Sequence, residues 1–126
     1  MIPGPRGRQY TMTSVTLYHN PRCSKSRQTL ALLEHNDVDF TTIEYLETPL
    51  TADQIKALAA KLGVPVRDIT RTGQTEYQEQ HLEDAPDDQL AEAIAATPIL
   101  MQRPIVVKGD SARIGRPPES VLEILG

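Results

Sequence analysis

The sequence sets its single cysteine in a run suited to thiol chemistry: His19-Asn20-Pro21-Arg22-Cys23-Ser24-Lys25-Ser26-Arg27. Asn20-Pro21 is turn chemistry, and the flanking segments read as a strand before it and a helix after it. Cys23 is therefore expected at a helix N-terminus, where free N–H groups and the helix dipole favour a thiolate. Arg22, Lys25 and Arg27 add positive charge, and His19 lies four residues upstream. Such surroundings lower a thiol pKa from its usual ~8.5. The expected product is a nucleophile active near neutral pH, beside a place for an oxyanion. A lone cysteine in a cytosolic protein is more often a small buried hydrophobe. The polar, cationic flanks here favour the reactive reading. His19 by itself is equally a turn residue or a participant.

Other chemistries lack their residues. There is no glycine-rich GxxxxGK phosphate loop. One cysteine and three scattered histidines (His19, His35, His81) have no metal-ligand spacing, so no metal is expected. A tyrosine-phosphatase loop needs Cys-x5-Arg, and this chain has Cys23-x3-Arg27. Position 26 is serine, so there is no resolving cysteine, and any thiol-adduct cycle must use an external thiol. A single cysteine also excludes an internal disulfide, which makes a reducing cytoplasm the expected location.

The 13 basic and 17 acidic residues give a net charge of −4, which disfavours general nucleic-acid binding. Their placement is uneven. Met1 to Leu33 has no acidic residue, and Thr72 to Gln102 has no lysine or arginine. Glu76, Glu79, Glu83, Asp84, Asp87, Asp88 and Glu92 fill the latter stretch, and cations return at Arg103, Lys108, Arg113 and Arg116. Cations held at both ends of an acidic chain are either gathered around an anion or a chance feature of a solvated surface.

The elements that must position these residues follow from periodicity. The 126 residues are 39% hydrophobic and 24% charged, enough for one domain with a real core. No apolar run approaches the ~20 residues of a membrane span. Residues 1–13 read as a flexible leader without a secretory pattern, and residues 14–126 as the domain. Ser14 to Tyr18 reads as a strand, Ser24 to His35 as a helix, and Val38 to Tyr45 as a second strand with a bulge at Thr41-Thr42. Thr51-Ala52-Asp53-Gln54 has capping-box form and opens a helix ended by Gly63. A short helix from Pro65 to about Arg71 and helices over Thr75–Leu82 and Asp88–Ala96 complete an insert at about 51–96. Ile105–Lys108 and Ser111–Ile114 form a hairpin around Gly109-Asp110, and Pro117 starts a final helix to Leu125. The order βαβ, helical insert, ββα predicts an α/β sandwich with a mixed sheet whose first two strands are parallel.

At these residues the chain resembles the glutaredoxin-dependent arsenate reductase family, which has a thioredoxin-like fold. The likeness runs through Tyr18-His19-Asn20-Pro21-x-Cys23, Glu44-Tyr45-Leu46-Glu47-Thr48-Pro49, Arg71, Tyr77, Arg103-Pro104-Ile105-Val106-Val107 and Arg113-Ile114-Gly115-Arg116-Pro117-Pro118-Glu119. It covers about residues 14 to 126 and is greatest for the short bacterial subgroup with HNPRCSKSR and ARIGRPPE. The loop Thr70-Arg71-Thr72-Gly73 departs from the better-known members after the arginine.

The resemblance implies that Cys23 attacks arsenic(V). His19 and Ser26 would favour its thiolate, with Arg27 adding charge, and Arg71, Arg103 and Arg116 would bind the oxyanion. It implies arsenate as substrate, glutathione as co-substrate, glutaredoxin as the protein partner that resolves the adduct, and no bound cofactor. It also implies a cis peptide at Arg103-Pro104. Two other classes share the fold. One is an RNA-polymerase-binding regulator with a Cys-x-x-Cys switch, whose second thiol is Ser26 here. The other is a monothiol glutaredoxin-like protein, whose Cys-Gly-Phe-Ser flanks are missing.

Overall fold

In Val15–His19 (β1), Val15, Leu17 and His19 share one buried face, and Thr16 and Tyr18 the other, as the two-residue period requires. The computed structural model describes residues 14–125; the leader at residues 1–13 lies outside the described residues. β1 runs parallel to Phe40–Glu44 (β2) and antiparallel to Ile105–Lys108 (β3), which pairs antiparallel with Ser111–Ile114 (β4). The sheet order is β2-β1-β3-β4. Central β3 is buried on both faces, which explains its unbroken Ile105-Val106-Val107 run.

Each face has its own core. Val15, Leu17 and Val106 pack with Leu33 of Ser24–His35 (α1) and with Val121. Ile105, Val107 and Ala112 pack against the segment after β2, made of Ala52–Leu62 (α2), Thr75–Glu79 (α3) and Asp87–Ala96 (α4). The α2 start is a true capping box: Thr51 Oγ1 accepts from Gln54 N–H, and the Gln54 side chain accepts from Thr51 N–H. Gly63 ends it at φ 74°, a left-handed cap.

Four expectations change. The β1–β2 register passes unbroken through Thr41 and Thr42, so there is no bulge. Both threonines are exposed because β2 is an edge strand. The helix from Thr75 stops at Glu79, since His81 takes φ 55° and Leu82 turns into the core. Val66–Ile69 is a single 3-10 turn, not a longer helix reaching Arg71. The last segment is a 3-10 helix over Pro118–Ile124. Its inward residues, Pro118, Val121 and Ile124, are three apart, which matches three residues per turn.

Gly115 joins the layers beneath the site. A Cβ there would lie 2.6 Å from Thr29 Oγ1 and 2.7 Å from Pro104 Cγ. Its N–H donates to Pro104 O at 2.9 Å. Neither neighbour is the free end of a long chain, so Gly115→Ala should destabilise by about 1–3 kcal/mol through overpacking. Chemical denaturation measures this, and an unchanged midpoint would contradict the packing.

Candidate active site

β1 delivers His19 onto the face covered by α1, and the chain then turns sharply. Cys23 N–H donates to Asn20 O at 3.0 Å, and Arg22 N–H to Asn20 Oδ1 at 3.0 Å. Ser26, fully buried, clasps the turn. Its hydroxyl accepts from Asn20 N–H at 2.9 Å and meets His19 Nδ1 at 2.7 Å. Cys23 is the N-cap of α1, half-buried, with its carbonyl accepting from Arg27 N–H at 3.0 Å.

Burial pushes the Cys23 thiol up, but the opposing effects win. The N–H groups of Ser26 and Lys25 and the guanidiniums of Arg103 and Arg116 hold it below its ordinary value. Arg116 NH2 lies 3.7 Å from Sγ. The pH midpoint of iodoacetamide alkylation should therefore fall below the ~8.5 of an ordinary thiol; a midpoint at or above it would count against this site. Because the folded value is the lower one, the linked stability is complete above the unfolded pKa. It fades as pH falls through the folded pKa.

His19 is held below its ordinary pKa chiefly by burial, with Glu44 opposing and Arg27 assisting. Its contact is with the Ser26 hydroxyl and not the sulfur. Arg27 NH1 donates to Pro21 O at 3.0 Å, and its charge bears on His19. Arg22, Lys25 and Arg27 are all exposed, and the guanidiniums that act most on Cys23 are those of the remote Arg103 and Arg116.

Three tertiary devices bring those residues in. The Thr70–Met101 bridge, with Arg71 N–H on Leu100 O at 2.7 Å and Gln102 N–H on Ile69 O at 2.8 Å, ties the Arg71 loop to the approach of β3. Arg103 precedes a cis peptide to Pro104 at the head of β3, as the resemblance implied. Arg116 precedes a second cis peptide, to Pro117, and its Nε donates to Arg103 O at 2.9 Å. Arg71, Arg103 and Arg116 thus share one cleft of about 370 Å³ with Thr72, Gly73, Gln74 and Gln102. None of the three forms an ion pair among the described residues, and no carboxylate lines the cleft. Glu79, Glu83, Asp84, Asp87, Asp88 and Glu92 face solvent. Glu76 is half-buried and accepts from Gln74 Nε2 at 3.0 Å.

Sequence reasoning missed Gln74 and Gln102, which line the cleft, and Asn20, which shapes the thiol turn. Gln102 was marked only by its place before Arg103-Pro104, and Asn20 by its turn chemistry. Chemically, the arrangement offers a half-buried thiol under the influence of the Arg103 and Arg116 guanidiniums, next to a cleft that Arg71 also lines while its NH1 donates to Ile99 O at 3.3 Å, a place for a nucleophile to meet an oxyanion.

Residues 18–124 match the model of the ArsC family. The chain belongs to that family. Among ArsC relatives, the uncharacterized protein YfgD of Escherichia coli K12 is 48% identical over 115 residues, which cover 89% of this chain and 97% of that protein. An arsenate reductase of Haemophilus influenzae is 45% identical over 115 residues, covering 89% and 99%. A solved arsenate reductase structure from Vibrio cholerae superposes with a TM-score of 0.86 at 48% identity, covering 90% of this chain and 99% of that one. The four-stranded mixed sheet with helices on both faces is thus the thioredoxin-like α/β fold of these ArsC structures.

Proposed function

We propose that this ArsC protein is an arsenate reductase, with Cys23 as nucleophile and arsenate in the arginine cleft. The observation that carries the reading is one cleft lined by Arg71, Arg103 and Arg116, none of them ion-paired among the described residues, with Arg116 NH2 3.7 Å from a thiol held below its ordinary pKa. The names of its relatives agree. His19 and Ser26 act indirectly, by fixing the turn that aims the Ser26 and Lys25 N–H groups at the sulfur. Arg71, Arg103 and Arg116 bind the oxyanion through their planar forks.

The cycle balances as follows. The Cys23 thiolate forms an S–As bond, and one arsenate oxygen leaves as water. Glutathione replaces a second oxygen, again released as water, and forms a second S–As bond. A glutaredoxin thiolate attacks the glutathione sulfur, forming a mixed disulfide. The As–S electron pair stays on arsenic, which becomes arsenic(III). Water then hydrolyses the Cys23–As bond, freeing arsenite and the thiol. The two external thiols supply the two electrons, so one internal cysteine suffices. A reducing cytoplasm fits this demand. No bound cofactor enters the cycle.

The test is NADPH oxidation coupled through glutathione and glutaredoxin, with arsenate as the varied substrate. Arsenate-dependent turnover is expected. Disulfide exchange without arsenate dependence would overturn the reading in favour of a monothiol glutaredoxin-like protein.

A further inference from the structure

A second concavity, of about 260 Å³, opens beside the thiol turn and is lined by Asn20, Pro21, Arg22, Glu44, Leu46 and Glu47. It shares no residue with the arginine cleft. The sheet accounts for the separation. Its pairings bring the residues after β1, after β2, before β3 and after β4 to one end of the sheet. In the order β2-β1-β3-β4, the Cys23 turn follows β1. Arg103 and Arg116 stand on its β3–β4 side, and Glu44, Leu46 and Glu47 on its β2 side. Two concavities thus flank one thiol turn.

The β2-side pocket is built on fixed backbone. Glu44 O accepts from Glu47 N–H at 3.0 Å and from Thr48 N–H at 2.9 Å, and Tyr45, 1% exposed, roots that turn in the core. Arg22 N–H is held by Asn20 Oδ1 at 3.0 Å. Leu46 is one of two large hydrophobic side chains left exposed among the described residues. Arg22, Glu44 and Glu47 are exposed too, and none forms an ion pair among the described residues. The pocket therefore offers a ligand two carboxylates, one guanidinium and one apolar contact. Two carboxylates repel an oxyanion, which leaves arsenate to the arginine cleft. The ligand that suits this lining carries an ammonium and a carboxylate on an aliphatic stem.

The cycle proposed above needs such a molecule, because one cysteine obliges a second thiol to come from outside. Cys23 adjoins the pocket: its Cα is about 3.8 Å from that of Arg22, its neighbour in the chain, and its N–H donates to the carbonyl of Asn20 at 3.0 Å. A tripeptide, roughly 10 Å long when extended, spans from the pocket to the thiol. We infer that this pocket is the subsite for the external thiol, a small peptide of the glutathione class. Its ammonium pairs with Glu47 and Glu44, a carboxylate with Arg22, and its methylenes lie on Leu46. Seated there, the peptide sulfur meets the Cys23-bound arsenic from the β2 side; an S–As bond forms, and an arsenic hydroxyl leaves with the thiol proton as water. The inference rests on the reductase reading and adds to it the place where the co-substrate binds.

The test is an NMR titration with S-methylglutathione, which keeps the ammonium and both carboxylates and cannot react at sulfur. The backbone amides of Arg22, Leu46 and Glu47 should shift, and those of Gly73 and Gln102 should not. Glu47→Gln and Arg22→Gln should each weaken the Kd about two- to fivefold, the scale of an ion pair in an open pocket. In the coupled assay the glutathione KM should rise by the same factor, with the arsenate KM unchanged. No binding, shifts centred on Gly73 and Gln102, or a Kd indifferent to both variants would overturn the inference and leave arsenate reduction standing. A rise in the glutaredoxin KM alone would also overturn it, by giving the pocket to the protein partner. A chain without arsenate turnover would overturn the reductase reading, and the Kd comparison would still decide the pocket.

Discussion

Cys23→Ser is expected to reduce arsenate-dependent turnover to the level of the assay without protein, and to do so without unfolding the chain. A serine hydroxyl at this helix start receives the same N–H groups and the same two guanidiniums as the thiol. It still cannot ionise near neutral pH, and it gives no As–S bond for an external thiol to work on. Stability should change by only about 1 kcal/mol, because a half-buried cap position loses little packing and serine is a good N-cap. Thermal unfolding and the coupled assay together check this. Retained turnover would remove Cys23 from the chemistry; a collapsed melting temperature would make its role structural.

Arg116→Lys keeps the positive charge and should still lower kcat/KM for arsenate by roughly ten- to hundredfold. Arg116 performs two tasks with different nitrogens: Nε holds the Arg103 carbonyl at 2.9 Å, while NH2 faces the Cys23 sulfur at 3.7 Å. A lysine has one donor centre and cannot span both. A hydrogen bond to a charged group contributes about 1.5–3 kcal/mol, and each 1.4 kcal/mol is tenfold. Arg103→Lys should lose a similar factor, because its own fork also faces the cleft. The alkylation midpoint of Cys23 separates geometry from charge. It should stay nearly fixed in Arg116→Lys and rise in Arg116→Ala, since one of the two guanidiniums acting on the thiol is then gone. Unchanged kcat/KM in both lysine variants would deny the oxyanion role of the pair.

The sequence by itself determined the local pieces, because short-range forces set them. Turn chemistry at Asn20-Pro21 after an alternating strand put Cys23 at a helix start. Thr51 with Gln54, and Gly63 eleven residues after the first helical position, marked both ends of α2, since caps form within one turn of chain. Gly109-Asp110 placed the β3–β4 hairpin. Where local signals were weak, the reading slipped: the three-residue spacing of Pro118, Val121 and Ile124 marks a 3-10 helix and was read as an α-helix.

Only the tertiary structure decided which charges reach the thiol. The neighbours in sequence, Arg22, Lys25 and Arg27, are exposed, and Arg27 spends its NH1 on the Pro21 carbonyl, because a helix start projects successive side chains in different directions. Arg103 and Arg116, 80 and 93 positions later, arrive through strand pairing, the Arg116–Arg103 carbonyl bond and the contact of Gly115 with Pro104. The Thr70–Met101 bridge brings Arg71 in from the other side. Charge falls off with distance in space and not along the chain, so this electrostatic site exists only once the sheet has closed.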